Sequence, residues 1–125
     1  MYLTKAEEQV MKILWKLEKA FIRDIMNEFP DPLPAQTTVI TLLKRMMDKG
    51  FVDYRQFGNS REYYPLVNKH DYFSDRFSDL VKDFFNNSKA QFASYFAAET
   101  ELTDEELEEL REIVDKKIAF KKMKK

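Results

Sequence analysis

Apolar residues at Leu3, Ala6, Val10, Ile13, Leu14 and Leu17 recur at three- and four-residue intervals, the spacing of an amphipathic helix. Thr4 followed by Glu7 is a capping-box pattern at its start. Trp15 sits beside the stripe and is expected to be partly buried. The same spacing continues through Phe21, Ile22, Ile25, Met26 and Phe29, predicting a second, shorter helix from Ala20 to Phe29. Pro30, Pro32 and Pro34 end it and force a short extended connector. A third helix is predicted from Pro34 or Ala35 to Lys49, with Gly50 placed as a C-terminal cap.

The third helix has two unlike faces. Val39, Leu42, Leu43 and Met46 cluster on one side. Thr37, Thr41 and Lys44 occupy the other, flanked by Thr38 and Arg45, with Asp48 at the far end. The period then changes from helical to alternating. Phe51–Phe57 and Arg61–Val67 are rich in β-branched and aromatic residues, and Gly58-Asn59-Ser60 separates them, which predicts a hairpin. Helical spacing returns from Asn68 to Asn87, carried by Phe73, Phe77, Leu80, Val81 and Phe84. Phe92, Tyr95 and Phe96 continue it in a fifth helical piece. Thr103 and Glu106 form a second capping box. Leu107, Leu110 and Val114 follow as a heptad-like seam, and the Lys121–Lys125 cluster suits a solvated helix C-terminus.

Composition narrows the chemistry. The 125 residues are 44% hydrophobic and 34% charged, which fits a folded chain. There is no Cys and one His, so thiolate sites, disulfides and multi-histidine metal sites are excluded. No apolar run approaches the ~20 residues of a membrane helix, and the N-terminus lacks a signal-peptide pattern. A cytoplasmic protein without membrane insertion is expected. The net charge of −1 hides a division: residues 1–70 carry +2 and residues 71–125 carry −3. Of the 11 Phe residues, 7 lie after residue 70. A 55-residue segment with that many aromatics cannot bury them alone, so it needs the first half or a second copy of itself.

Catalysis has little support. His70 has Asp71 beside it in sequence, but adjacent helix residues do not face each other. The acidic run from Glu99 to Glu112 lacks the spacing and central Gly of a calcium loop, and acids are favoured at a helix start. There is no Gly-rich phosphate loop. No enzyme, cofactor or metal site is expected.

Helix, helix, helix, hairpin is the order of a winged helix, whose third helix enters the major groove of DNA. The candidate DNA contacts are Thr37, Thr38, Thr41, Lys44 and Arg45 on that helix, and Arg55, Asn59 and Arg61 on the wing. Hydroxyls can meet phosphates or base edges, and cations neutralise phosphates. Some winged helices bind proteins instead, so an interaction module without DNA binding stays open as the alternative.

The chain also resembles the penicillinase-repressor and methicillin-repressor family, which includes the CopY repressors. The likeness is carried by Leu3 to Trp15, by Thr38 to Val52, by Tyr63-Tyr64-Pro65-Leu66-Val67 and by Leu102 to Leu110. The second of these is similar to the family's recognition-helix signature T-V-x-T-L-L-x-R-L-x-x-K-G. The resemblance implies a mainly helical protein with a small β-hairpin. Residues 1–68 would form a winged helix-turn-helix DNA-binding domain, and residues 69–125 a helical dimerisation domain. It implies a homodimeric repressor on a palindromic, double-stranded DNA operator, with Phe73, Phe77, Leu80, Phe84, Phe92, Phe96, Leu107, Leu110 and Val114 joining the copies. It further implies release when a membrane-bound sensor metalloprotease triggers cleavage of the C-terminal domain. The family's Asn-Phe cleavage bond reads Tyr95-Phe96 here: the Phe is kept and the Asn is not. The Cys pairs of CopY-like members are absent, which excludes copper sensing by that route.

Overall fold

Thr4 caps the first helix, α1 (Lys5–Leu17), in the computed structural model, which describes residues 2–124. The Thr4 hydroxyl accepts from the Glu7 N–H at 3.2 Å, and Glu7 Oε1 accepts from the Thr4 N–H at 2.8 Å. Two donors that a helix start leaves open are thereby satisfied. Val10, Met11 and Leu14 on the inner stripe are fully buried.

The single helix expected over Ala20–Phe29 is corrected. Ala20 and Phe21 form a strand, β1 (Ala20–Phe21), and only Ile22–Asn27 is helical, as α2. The backbone of β1 pairs antiparallel with Tyr63 and Glu62. The Asp24 carboxylate accepts from the Phe21 N–H at 3.1 Å and starts the helix after the strand.

The third helix, α3 (Gln36–Asp48), lies within a residue or so of its expected ends. Gly50 has φ +84°. Its N–H donates to the Met47 carbonyl at 3.0 Å, and that of Phe51 donates to Met46 at 2.9 Å. This is the Schellman closure that favours Gly at that position. Strands β2 (Val52–Phe57) and β3 (Ser60–Pro65) form the wing, with Phe57 opposite Ser60. The turn is therefore Gly58-Asn59 alone, with Gly58 at φ +58°. The second strand stops at Pro65 rather than Val67. Because β1 joins β3, the expected hairpin is one part of a three-stranded sheet in the order β1-β3-β2.

The next helix is α4 (Lys69–Phe84), shorter at its end than the expected Asn87. Asn86 and Asn87 adopt positive φ values of 53° and 58°, which ends the helix with residues tolerant of that region. It is followed by α5 (Lys89–Glu99) and α6 (Asp104–Met123), started by Ser88 and Thr103. Lys125 of the expected lysine cluster lies outside the described residues.

The chain divides into two units, Met1–Phe77 and Ser78–Lys125. The first has a closed core of Val10, Met11, Leu14, Ile25, Val39, Leu43, Met46 and Val52. In the second, Val81 is the one buried apolar residue among those described. Phe85 meets Phe92 edge-on at 5.5 Å and Tyr95 at 5.7 Å, and Phe92 stacks on Phe96 at 6.0 Å.

Candidate nucleic-acid interface

The inner face of α3 fixes the outer one. Val39, Leu43 and Met46 are fully buried and Leu42 is half-buried. Thr37, Thr38, Thr41, Lys44 and Arg45 are consequently turned to solvent. The helix is also pinned at its C-terminal end. Lys49, its C-cap, donates to Glu7 Oε1 at 2.6 Å. Glu7 is only 1% exposed. Burial opposes ionisation of its carboxyl, but the bonds from Lys49 and Thr4 outweigh burial and hold it below the ordinary value of 4.5. The start of α1 and the end of α3 are thus tied by a charge-assisted hydrogen bond.

One threonine behaves differently from the expectation drawn from its hydroxyl. The Thr41 hydroxyl donates to the Thr37 carbonyl at 2.9 Å. Its proton is committed to the helix, leaving a methyl group and an accepting oxygen. Ile40 beside it is 41% exposed, so this part of the surface is partly apolar.

On the wing, Arg61 lies over the Tyr54 ring with its guanidinium carbon 4.2 Å from the centroid, a cation–π contact that limits its freedom. Tyr54 in turn packs on its cross-strand partner Tyr63 at 6.0 Å. Arg55 is paired in register with Glu62, a carboxylate neighbour that Arg61 lacks, since Arg61 pairs with Gln56. Asn59 stands in the exposed turn.

Between these ridges runs a groove of about 630 Å³, lined by Phe21, Ile22 and Arg23 from β1–α2, Ile40 from α3, and Phe57 and Arg61 from the wing. None of its lining residues is acidic. Arg23, Lys44, Arg45, Arg55 and Arg61 form no ion pair with any other described residue. Sequence reasoning missed Arg23, Ile40 and Phe57. Their grouping depends on β1, whose two residues reveal themselves only by pairing with a strand some 40 positions later.

The residues expected to join two copies are largely uncovered. Phe73, Leu80, Phe84, Leu107 and Val114 are exposed, Phe84 at 78%. Phe77, Phe92, Phe96 and Leu110 are half-buried. Phe73 and Phe77 stack at 6.4 Å on the turns of α4 that belong to the first unit. Tyr95 and Phe96 lie inside α5. Among the described residues no group of His, Cys, Asp and Glu could hold a metal ion, and no helix is long and apolar enough to cross a membrane.

The chain is similar to known proteins. The methicillin resistance regulatory protein MecI of Staphylococcus aureus (strain N315) is 28% identical over 116 residues, covering 92% of this chain and 94% of its own. The penicillinase repressor of Bacillus licheniformis is 25% identical over 114 residues, or 90% of this chain and 89% of its own. The solution structure of the DNA-binding domain of the repressor BlaI matches 56% of this chain and 87% of its own, at 27% identity and a TM-score of 0.50. The penicillinase repressor family model matches residues 3–116. With nearly its whole length matched, and with a winged helix in its N-terminal unit, the chain belongs to the penicillinase repressor family.

Proposed function

We propose that the protein is a transcriptional repressor that binds double-stranded DNA through α3 and the wing, as a homodimer on a palindromic operator. The observation that carries this reading is the outer face of α3. Its threonines, Lys44 and Arg45 are exposed, as is Arg61 of the wing, and these cations have no ion-pair partner among the described residues. Such a surface neutralises phosphates and places small side chains at base edges. Phe73, Thr37 and Arg55 are then parts of one device: the wing and helix hold a half-site, and the exposed apolar residues after Phe73 hold the second copy.

Release follows by loss of the dimer, signalled through cleavage by a membrane metalloprotease sensor, as in the resemblance to the methicillin repressors. The matching bond, Tyr95-Phe96, is helical. A protease needs extended substrate, so scission there requires α5 to unwind locally. The deciding experiment is binding of the purified protein to its own upstream promoter DNA at two salt concentrations. Tight binding that falls steeply with salt, and that Lys44→Ala weakens, supports the repressor. No binding at low salt overturns it and directs attention to protein partners.

A further inference from the structure

The repressor reading assigns DNA contact to α3 and to Asn59 and Arg61 of the wing, and gives no role to Arg23, Phe21, Ile22, Ile40 and Phe57, which line the groove beside them. Its chemistry is specific. Arg23 and Arg61 line it without a carboxylate partner among the described residues, and Phe21, Ile22, Ile40 and Phe57 supply apolar surface. Phe21 and Phe57 meet edge-on at 6.0 Å, so the β1 and wing sides are packed against each other. Arg61 is held on the Tyr54 ring rather than waving free. An occupant complementary to this surface is anionic at intervals and apolar between the charges. A sugar–phosphate strand has that alternation, with deoxyribose between phosphates.

We propose that the groove seats the backbone of one DNA strand, with Arg23 and Arg61 each on a phosphate and Ile40 against the intervening deoxyribose. Arg23 is then a phosphate-contact residue outside the recognition helix. The inference rests on the DNA-binding reading above. Its position agrees with the way a helix-turn-helix crosses the backbone with the element that precedes its recognition helix.

The test uses the full chain and its promoter duplex over a series of salt concentrations, with Arg23→Gln, Ile40→Ser and Lys44→Ala compared. Arg23 is exposed, so Arg23→Gln is expected to melt like the wild type. It should weaken binding to promoter and to unrelated DNA by the same factor and reduce the salt slope by about 1. Ile40→Ser should weaken binding with the slope unchanged. Replacing backbone phosphates one at a time with neutral methylphosphonate should locate a position that weakens the wild type and adds nothing to Arg23→Gln. Arg23→Gln with wild-type affinity and slope, while Lys44→Ala weakens binding, overturns the groove assignment and leaves the repressor intact. An Arg23→Gln effect confined to promoter DNA without a slope change also overturns it. A wild-type protein that binds no DNA removes both.

Discussion

Glu7 joins the start of α1 to the end of α3 through one carboxylate. Its Oε1 accepts from Thr4 and from Lys49, while its buried Oε2 has no hydrogen-bond partner among the described residues. The carboxyl is held below its ordinary value of 4.5, because bonds from Lys49 and Thr4 outweigh burial. The folded state therefore binds this proton less readily than the unfolded chain. The stabilisation is complete above 4.5 and is lost as pH falls through the lower folded value. Glu7→Gln should cost about 1–3 kcal/mol at neutral pH, and should flatten the decline in stability below pH 4.5, as measured by urea unfolding at several pH values. An unchanged acid slope would contradict this account. Thr41 gives a second residue-scale expectation. Its hydroxyl proton is committed to the Thr37 carbonyl, so it has none to donate to a phosphate. Thr41→Val, which keeps the methyl group, should reduce DNA affinity less than Thr41→Ala. Equal losses in a gel-shift titration would show that the hydroxyl is needed.

At the scale of elements, the first turns of α4, which belong to the first unit, are held within it by Tyr72. Its hydroxyl accepts from the Leu3 N–H at 3.1 Å and donates to Glu8 Oε2 at 2.8 Å. Arg76 donates to the same Glu8 carboxylate. The buried Tyr72 ring packs against Tyr2, Trp15 and Phe51 with centroids 5.7–6.2 Å apart. Tyr72→Phe keeps the ring and removes the hydroxyl, leaving the Leu3 N–H without its partner. A loss of about 1–2 kcal/mol is expected in chemical denaturation; no loss would mean that water replaces the hydroxyl freely. Elements of this kind were unevenly legible beforehand. Helices with a local cap and an apolar stripe, such as those begun by Thr4 and Thr103, declared themselves in sequence because both signals lie within one or two turns. So did the wing, through Gly58-Asn59 between alternating runs. The strand Ala20–Phe21 did not, because its identity comes from a distant partner, Tyr63 and Glu62, and its local spacing continues the helical pattern. The groove depends on that strand and was hidden with it. The outer face of α3 was legible because Val39, Leu43 and Met46 fix which side is buried; the Thr41 hydroxyl's internal bond was not, since it requires a rotamer.

At the scale of the whole molecule, the apolar surface is distributed unequally. The first unit closes a core, whereas α5 and α6 have no buried residue, and Phe84, Tyr95, Ile113 and Phe120 stand exposed. Large apolar side chains left exposed in this way are what a contact with another chain would cover. The proposed repressor gives it a use, because linking two DNA-binding units makes the second half-site contact intramolecular. Its effective concentration then replaces bulk concentration, raising affinity by roughly 10²–10⁴-fold without any new contact to DNA. A carboxylate buried in such an interface leaves an uncompensated charge, which apolar partners cannot accommodate. Leu107→Asp combined with Val114→Asp should therefore sediment as a monomer. It should lose about that factor on a full palindrome while binding a single half-site as the wild type does. The half-site measurement is what gives the comparison its force: weakening on both duplexes would mean damage to the reading surface, and a monomer as tight as wild type on the palindrome would mean that repression needs no second copy.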